Sequence, residues 1–239
     1  MKPTRREMLA APGLAMAVGL IPQENRRKGS ADWQLAHVRL DKPGGFRSSR
    51  VEGYCSRQSV KAGETLRIFL SANPARRVTV EIFRMGYYGG RGARLMTRVE
   101  AGLVKPQPDP PVEARRLRQC RWEASAELKI PGDWPSGVYL GRLNTAPEQR
   151  NEHAWQSFVI FVVRDERQAD VVFQVSDNTW AAYNRWPDNY SLYTDPRHAW
   201  APDVSVSFDR PYGKYAQIFE QPNSVGSGEF LLWEYPLCY

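Results

Sequence analysis

Between residues 32 and 165 the chain never sustains a helical period. Short runs of β-branched and aromatic residues alternate with turn residues instead, and that pattern confines this stretch to an all-β architecture. Leu66-Arg67-Ile68-Phe69-Leu70 and Val78-Thr79-Val80-Glu81-Ile82-Phe83 are two such runs. Lys61-Ala62-Gly63-Glu64 precedes the first, and Ser71-Ala72-Asn73-Pro74-Ala75 separates the two. Further runs occupy 127–130, 138–143 and 156–163, with the turn Pro131-Gly132-Asp133-Trp134-Pro135-Ser136-Gly137 among them. Such spacing predicts a β-sandwich of immunoglobulin-like type, with Leu66, Ile68, Phe69, Val78, Val80, Ile82, Tyr139 and Phe161 between two sheets. The Cys-Trp-Cys spacing of antibody domains is not there, so only the architecture is predicted.

The pattern changes after Asp165-Glu166-Arg167-Gln168. Residues 171–175 form a near-continuous apolar run, as in a strand buried on both faces of a parallel sheet. Ser176-Asp177-Asn178-Thr179 follows and can cap a helix carrying Trp180, Ala181, Ala182 and Tyr183. Residues 204–208 form a second candidate strand, and 229–237 an amphipathic helix that stops abruptly. The 74 residues from 166 supply too few strands for an independent sheet. Residues 166–239 are therefore expected to be the start of a truncated α/β domain, with a compact appendage on the sandwich as the alternative.

The N-terminus carries an export pattern. Arg5-Arg6 leads into an apolar stretch over 10–21, too short to span a bilayer comfortably. The features look like a twin-arginine signal peptide over 1–31, which predicts a periplasmic or secreted protein. A packed N-terminal helix is the competing reading. The formal charge of +7 is concentrated here, since residues 1–31 hold six Lys/Arg against two Glu. The remaining chain has 27 basic and 24 acidic residues, an ordinary surface that gives no support for a nucleic-acid partner. No run of about 20 apolar residues occurs, so an integral membrane protein is not expected. Cys55 and Cys120 allow either a disulfide in an oxidising compartment or two buried thiols, with Cys238 left over.

The familiar catalytic constellations fail in turn. His37, His153 and His198 lie in separate segments, and there is neither a Gly-x-Ser-x-Gly elbow nor a P-loop. Gly89-Gly90-Arg91-Gly92 reads as a loop between strands rather than a phosphate cradle. What stands out is a patch dense in tyrosine, tryptophan and asparagine over 178–193. Such a composition suits a sugar- or amide-binding cleft, or aromatic packing at an interface.

Five strings carry a resemblance: residues 86–94 (Gly-Tyr-Tyr-Gly-Gly-Arg-Gly-Ala-Arg), 134–139, 177–184, Tyr190-Ser191-Leu192-Tyr193 and 207–212 (Ser-Phe-Asp-Arg-Pro-Tyr). Together they resemble the N,N-dimethylformamidase large-subunit family, and more closely its shorter exported relatives, from about Arg50 onward. The resemblance implies an immunoglobulin-like domain followed by a glutamine-amidotransferase-like α/β domain. It also implies a mononuclear iron held by two tyrosines and a glutamate, and hydrolysis of a small amide to an amine and formate. Matched string by string, Tyr183 is the first tyrosine and Tyr193 the second, with Tyr212 in reserve. Asn178, Asn184 and Trp180 are expected to contact substrate. The family's glutamate belongs to a His-Asp-Glu-Tyr-Trp string that this sequence does not contain, and Glu234 belongs to a different string. The expectation is an iron-dependent amidohydrolase, inactive as this chain alone. The alternatives are an exported β-sandwich module that binds a glycan or a protein without catalysis, and a nonfunctional fragment. Self-association is left open by the residues.

Overall fold

The computed structural model describes residues 20–38, 45–48, 50–150, 152–167, 169, 172–194 and 204–213. In chain order the elements are α1 (Leu20–Asn25), β1 (Val51–Cys55), β2 (Ser59–Lys61), β3 (Thr65–Ala72), β4 (Arg76–Met85), β5 (Ala93–Val104), β6 (Ala126–Lys129), β7 (Gly137–Thr145), β8 (Gln156–Arg164) and α2 (Asp177–Tyr183). The chain is mostly β and forms two sheets, one of order β1-β3-β6 and one of order β2-β8-β7-β4-β5. Neighbours run antiparallel except for the short β2–β8 pair, which is parallel.

Period-2 parity explains which side chains meet between the sheets. Leu66, Ile68 and Leu70 of β3 are fully buried, while Thr65 before them and Arg67 between them are exposed. Val78, Val80 and Ile82 of β4, Tyr139 and Leu143 of β7, and Val159, Phe161 and Val163 of β8 complete one shared core. Each such side chain contributes about 1.5–3 kcal/mol through burial. Phe69 is the exception among the predicted core residues. It has the opposite parity to Leu66, Ile68 and Leu70, so it lies outside the shared core, half-buried, with its ring stacked 4.8 Å from that of Tyr54.

Three strands went unread in the sequence. β5 carries Arg94, Arg98 and Glu100 among its apolar residues and lies at a sheet edge, where one side of the ladder meets solvent. β1 contains Glu52 and Gly53, residues with poor strand propensity, and β2 has three residues. The glycine-rich string is indeed the connection between β4 and β5, with a 3₁₀ turn over Tyr88–Gly90.

The expected strand over 171–175 is corrected. Residues 172–175 form no strand, and Val172 and Phe173 are exposed at 87% and 67%. Among the described residues no strand pairs with this run, and an apolar segment without ladder partners gains nothing from extended pairing. Residues 204–208 likewise form no strand. Cys55 and Cys120 are buried free thiols, so the disulfide alternative falls. Burial pushes the Cys55 thiol up to about 12, which keeps it in the unreactive protonated form. Arg5, Arg6, His198, residues 229–237, Glu234 and Cys238 lie outside the described residues.

The outer face of the five-stranded sheet carries a second apolar cluster. Phe83, Met85, Ala93, Leu140 and Phe158 of the sheet receive Trp33 and Leu35 from the N-terminal side and Trp180 from α2. Among the described residues no helix is long and apolar enough to cross a membrane.

Two carboxylates are built into this face. Glu81 accepts hydrogen bonds from Arg98 (2.9 Å), Arg142 (2.6 Å) and Asn144 (3.0 Å). Glu24 accepts from Arg94 (2.6 Å) and Tyr88 (2.9 Å). Burial opposes both charges, but these bonds outweigh it and hold both carboxyls below the usual glutamate range. The folded state therefore binds these protons less readily than the unfolded chain. Stability is expected to be level above about pH 5 and to fall as pH drops through and below 4.5. Urea denaturation between pH 7 and 3 measures the slope.

Candidate functional site

The aromatic patch is assembled at the C-terminal end of α2. Asp177, in its first turn, has the charge sign that a helix N-terminus favours. Ser176 occupies the N-cap position, but it makes no side-chain cap bond. Trp180, Ala181 and Ala182 are buried against the body, and Tyr183 is left 43% exposed. The chain then loops back: Leu192 N–H donates to the Ala182 carbonyl at 2.8 Å. A turn fixes the next residue, with Ser191 N–H donating to Thr194 Oγ1 (3.0 Å) and Tyr193 N–H to Ser191 Oγ (3.2 Å). The result brings Tyr193, also 43% exposed, against Tyr183, with ring centroids 4.7 Å apart and planes at 44°.

A buried arginine holds this loop in place. Arg210 is 2% exposed, and its guanidinium donates to the carbonyls of Trp186 (2.7 Å), Tyr190 (3.1 Å), Asn184 (3.1 Å), Ala181 (3.3 Å) and Ser207 (3.3 Å). Burial lowers its pKa to about 10, which leaves it charged at neutral pH. Five carbonyl dipoles thus take the place of a carboxylate partner, and they join the end of α2, the loop and residues 207–210 around one charge.

Asn184 performs a similar task. It is 1% exposed, its Nδ2 donates to the Pro211 carbonyl (2.9 Å), and its Oδ1 accepts from Trp186 N–H and Gly213 N–H, both at 3.1 Å. An amide engaged in this way holds backbone together. Trp186 is fully buried, and its indole N–H donates to Glu52 Oε2 at 2.9 Å. Glu52 in turn accepts from Arg47 Nε (2.7 Å) and Ser48 N–H (3.1 Å). Burial pushes the Glu52 carboxyl up, while Arg47, beside both Glu52 and Asp109, is raised despite its own burial. Tyr190 lies between two guanidinium groups, Arg116 at 4.9 Å and Arg118 at 4.6 Å from its ring centroid.

The remaining candidates stand elsewhere. Trp180 is 3% exposed and belongs to the outer apolar cluster. Asn178 is exposed, but it precedes Tyr183 by five residues and so lies about 140° around the helix from it. Tyr212 packs on the outer cluster, and burial raises its hydroxyl pKa. With Cys55, Asp177 and Trp180 it lines a cavity of about 30 Å³, room for about one water. Arg210 and the Trp186–Glu52 bond were missed in the sequence. The only local signal was Arg210 within the string 207–212, since its partners lie 3 to 29 residues away.

Two tyrosine rings are held side by side at a half-open surface of a mostly β body. Phenol oxygen suits a small, highly charged cation, which lowers the pKa of the group it binds. Among the described residues no group of three His, Cys, Asp or Glu side chains converges for a metal. Residues 79–239 match the family described as N,N-dimethylformamidase beta subunit-like, C-terminal, and the chain belongs to that family. The match begins inside β4, not near Arg50, and runs through both the strands β5–β8 and the tyrosine pair. No curated protein matches the chain.

Proposed function

We propose that the chain is part of an exported, iron-dependent amidohydrolase, with an immunoglobulin-like sandwich over 32–165 and an α/β domain beginning near 166. The observation that carries this reading is the contact between Tyr183 and Tyr193, ten residues apart and brought ring to ring in a chain of this family. Tyr183 and Tyr193 would hold the iron, and Tyr212 serves the packing of the outer cluster. When bound, the metal supplies Lewis acidity toward an amide carbonyl of a small substrate. The protein's own contribution is placement. Arg210 and Asn184 hold the two tyrosine-bearing segments in one register, and the paired rings leave one side open for substrate.

The test loads the full chain with ferric iron and records stoichiometry and the visible tyrosinate-to-iron charge-transfer band. One iron per chain is expected, with at least tenfold weaker binding and an altered band in both Y183F and Y193F. Iron binding with a band indifferent to both substitutions removes the metal from these tyrosines. A protein that binds no iron but does bind a glycan or protein through this face is a binding module instead.

A further inference from the structure

The basic run Arg26-Arg27-Lys28 and the glycine-rich string over 89–92 are far apart in the chain, yet they meet in space. Residues 24–30 lie over the β4–β5 turn. Glu24 accepts from Tyr88 and Arg94, Asn25 Oδ1 accepts the Tyr87 N–H at 3.2 Å, and Ser30 N–H donates to the Ala93 carbonyl at 2.8 Å. Gly29 packs so closely that a Cβ there would stand 2.5 Å from Arg91 Cβ. Between the two segments lies an open hollow of about 650 Å³. Arg26, Arg27, Lys28 and Arg91 line it together with Tyr87 and Gly89, and among the described residues no carboxylate does.

Four cations gathered in one hollow repel one another, and the fold supplies little to offset this. Glu24 Oε2 stands 3.3 Å from Arg27 Nε, but that carboxylate already serves Arg94 and Tyr88. Among the described residues the exposed side chains of Arg26, Lys28 and Arg91 form no ion pair. At Gly89 the backbone faces open space, since a Cβ there would meet no heavy atom within 4 Å. Tyr87, 62% exposed, adds an aromatic wall. A concave site lined by one sign of charge concentrates ligands of the opposite sign. Its volume lies within the range of small-molecule sites, about 300–1,000 Å³. Guanidinium forks and an ammonium point charge are the groups that hold phosphate oxygens. We propose that this hollow binds a small, multiply charged phosphate ligand, with its oxygens among Arg26, Lys28 and Arg91. The site needs neither iron nor the tyrosine pair, so its failure leaves the proposed function untouched. It does need residues 24–31 to stay on the chain.

The experiment titrates the full chain, without added metal, with inorganic pyrophosphate in a calorimeter, after intact mass has shown that residues 26–28 are present. One site per chain is expected, with affinity falling about tenfold between about 50 and 500 mM salt, because exposed charges are screened. The double variant Arg26→Ser/Lys28→Ser should bind about thirtyfold more weakly. Arg26→Lys/Lys28→Arg keeps both charges and should stay within about threefold of the unaltered chain. Both residues are exposed, so melting without ligand should be the same in all three proteins. Hydrogen exchange gives a reading that needs no variant: pyrophosphate should slow exchange over 25–31 and 87–91. No binding, equal affinity in the serine variant, or protection confined to other segments overturns the inference. Binding to phosphatidylglycerol vesicles but not to pyrophosphate places the phosphate on a lipid surface and overturns it as well. So does an exported product cut beyond Lys28, since the cations would leave with the leader.

Discussion

Replacing Arg210 with methionine should unfold the tyrosine site before anything else. The substitution keeps a long side chain but removes every donor from a pocket lined by the carbonyls of Ala181, Asn184, Trp186, Tyr190 and Ser207. The bonds lost are charge-assisted, and an acceptor left buried without a partner costs about 1–3 kcal/mol, so the expected loss is at least about 3 kcal/mol. Arg210→Lys retains the charge but cannot fork to five acceptors and should recover only part of the loss. Hydrogen exchange gives the sharper readout. Protection at Leu192 N–H and Asn184 N–H should fall in Arg210→Met while the amides of β3 and β4 stay protected. A uniform loss across the sheets would mean that Arg210 supports the whole body and not the loop.

Glu52→Ala is expected to be of similar size, by a different route. Glu52 sits in β1 at 1% exposure and receives Arg47, Ser48 N–H and the Trp186 indole. Removing it leaves a largely buried guanidinium without its nearest partner and an indole N–H without an acceptor, which costs about 3–5 kcal/mol. Glu52→Gln keeps an acceptor for the indole and should cost less. The measurement is urea unfolding followed by tryptophan emission, because Trp186 loses its dry, fully buried setting when the anchor fails. If Glu52→Ala unfolds at the same urea concentration as the unaltered chain, the indole bond is not the anchor, and Trp186 is held by its backbone bonds to Asn184 and Arg210 and by packing against Trp122, whose ring centroid is 6.0 Å away.

These two residues also show where sequence reasoning stopped. Alternation along 66–70 and 78–82 was enough to place Leu66, Ile68, Val78, Val80 and Ile82 in one core, because a strand's period is written in consecutive residues. The same parity should have moved Phe69 to the other face. The polar cluster at 176–179 marked the start of α2, since a helix N-terminus draws its requirements from four adjacent positions. β5 escaped because an edge strand tolerates charge on its exposed side, and residues 171–175 misled because an apolar run states a need for burial without naming a partner.

By itself, then, the chain determined the properties that local periodicity and turn chemistry encode: a two-sheet β body, a short helix after residue 176 and the family strings around Tyr183 and Tyr193. Tertiary structure alone decided which groups meet across distance. Glu24 reaches Arg94 over 70 residues, Glu52 reaches Trp186 over 134, and Arg210 gathers carbonyls from two segments. Such bonds leave no periodic trace, because a buried charge is stabilised by whatever dipoles and counter-charges the fold brings within about 3 Å of it.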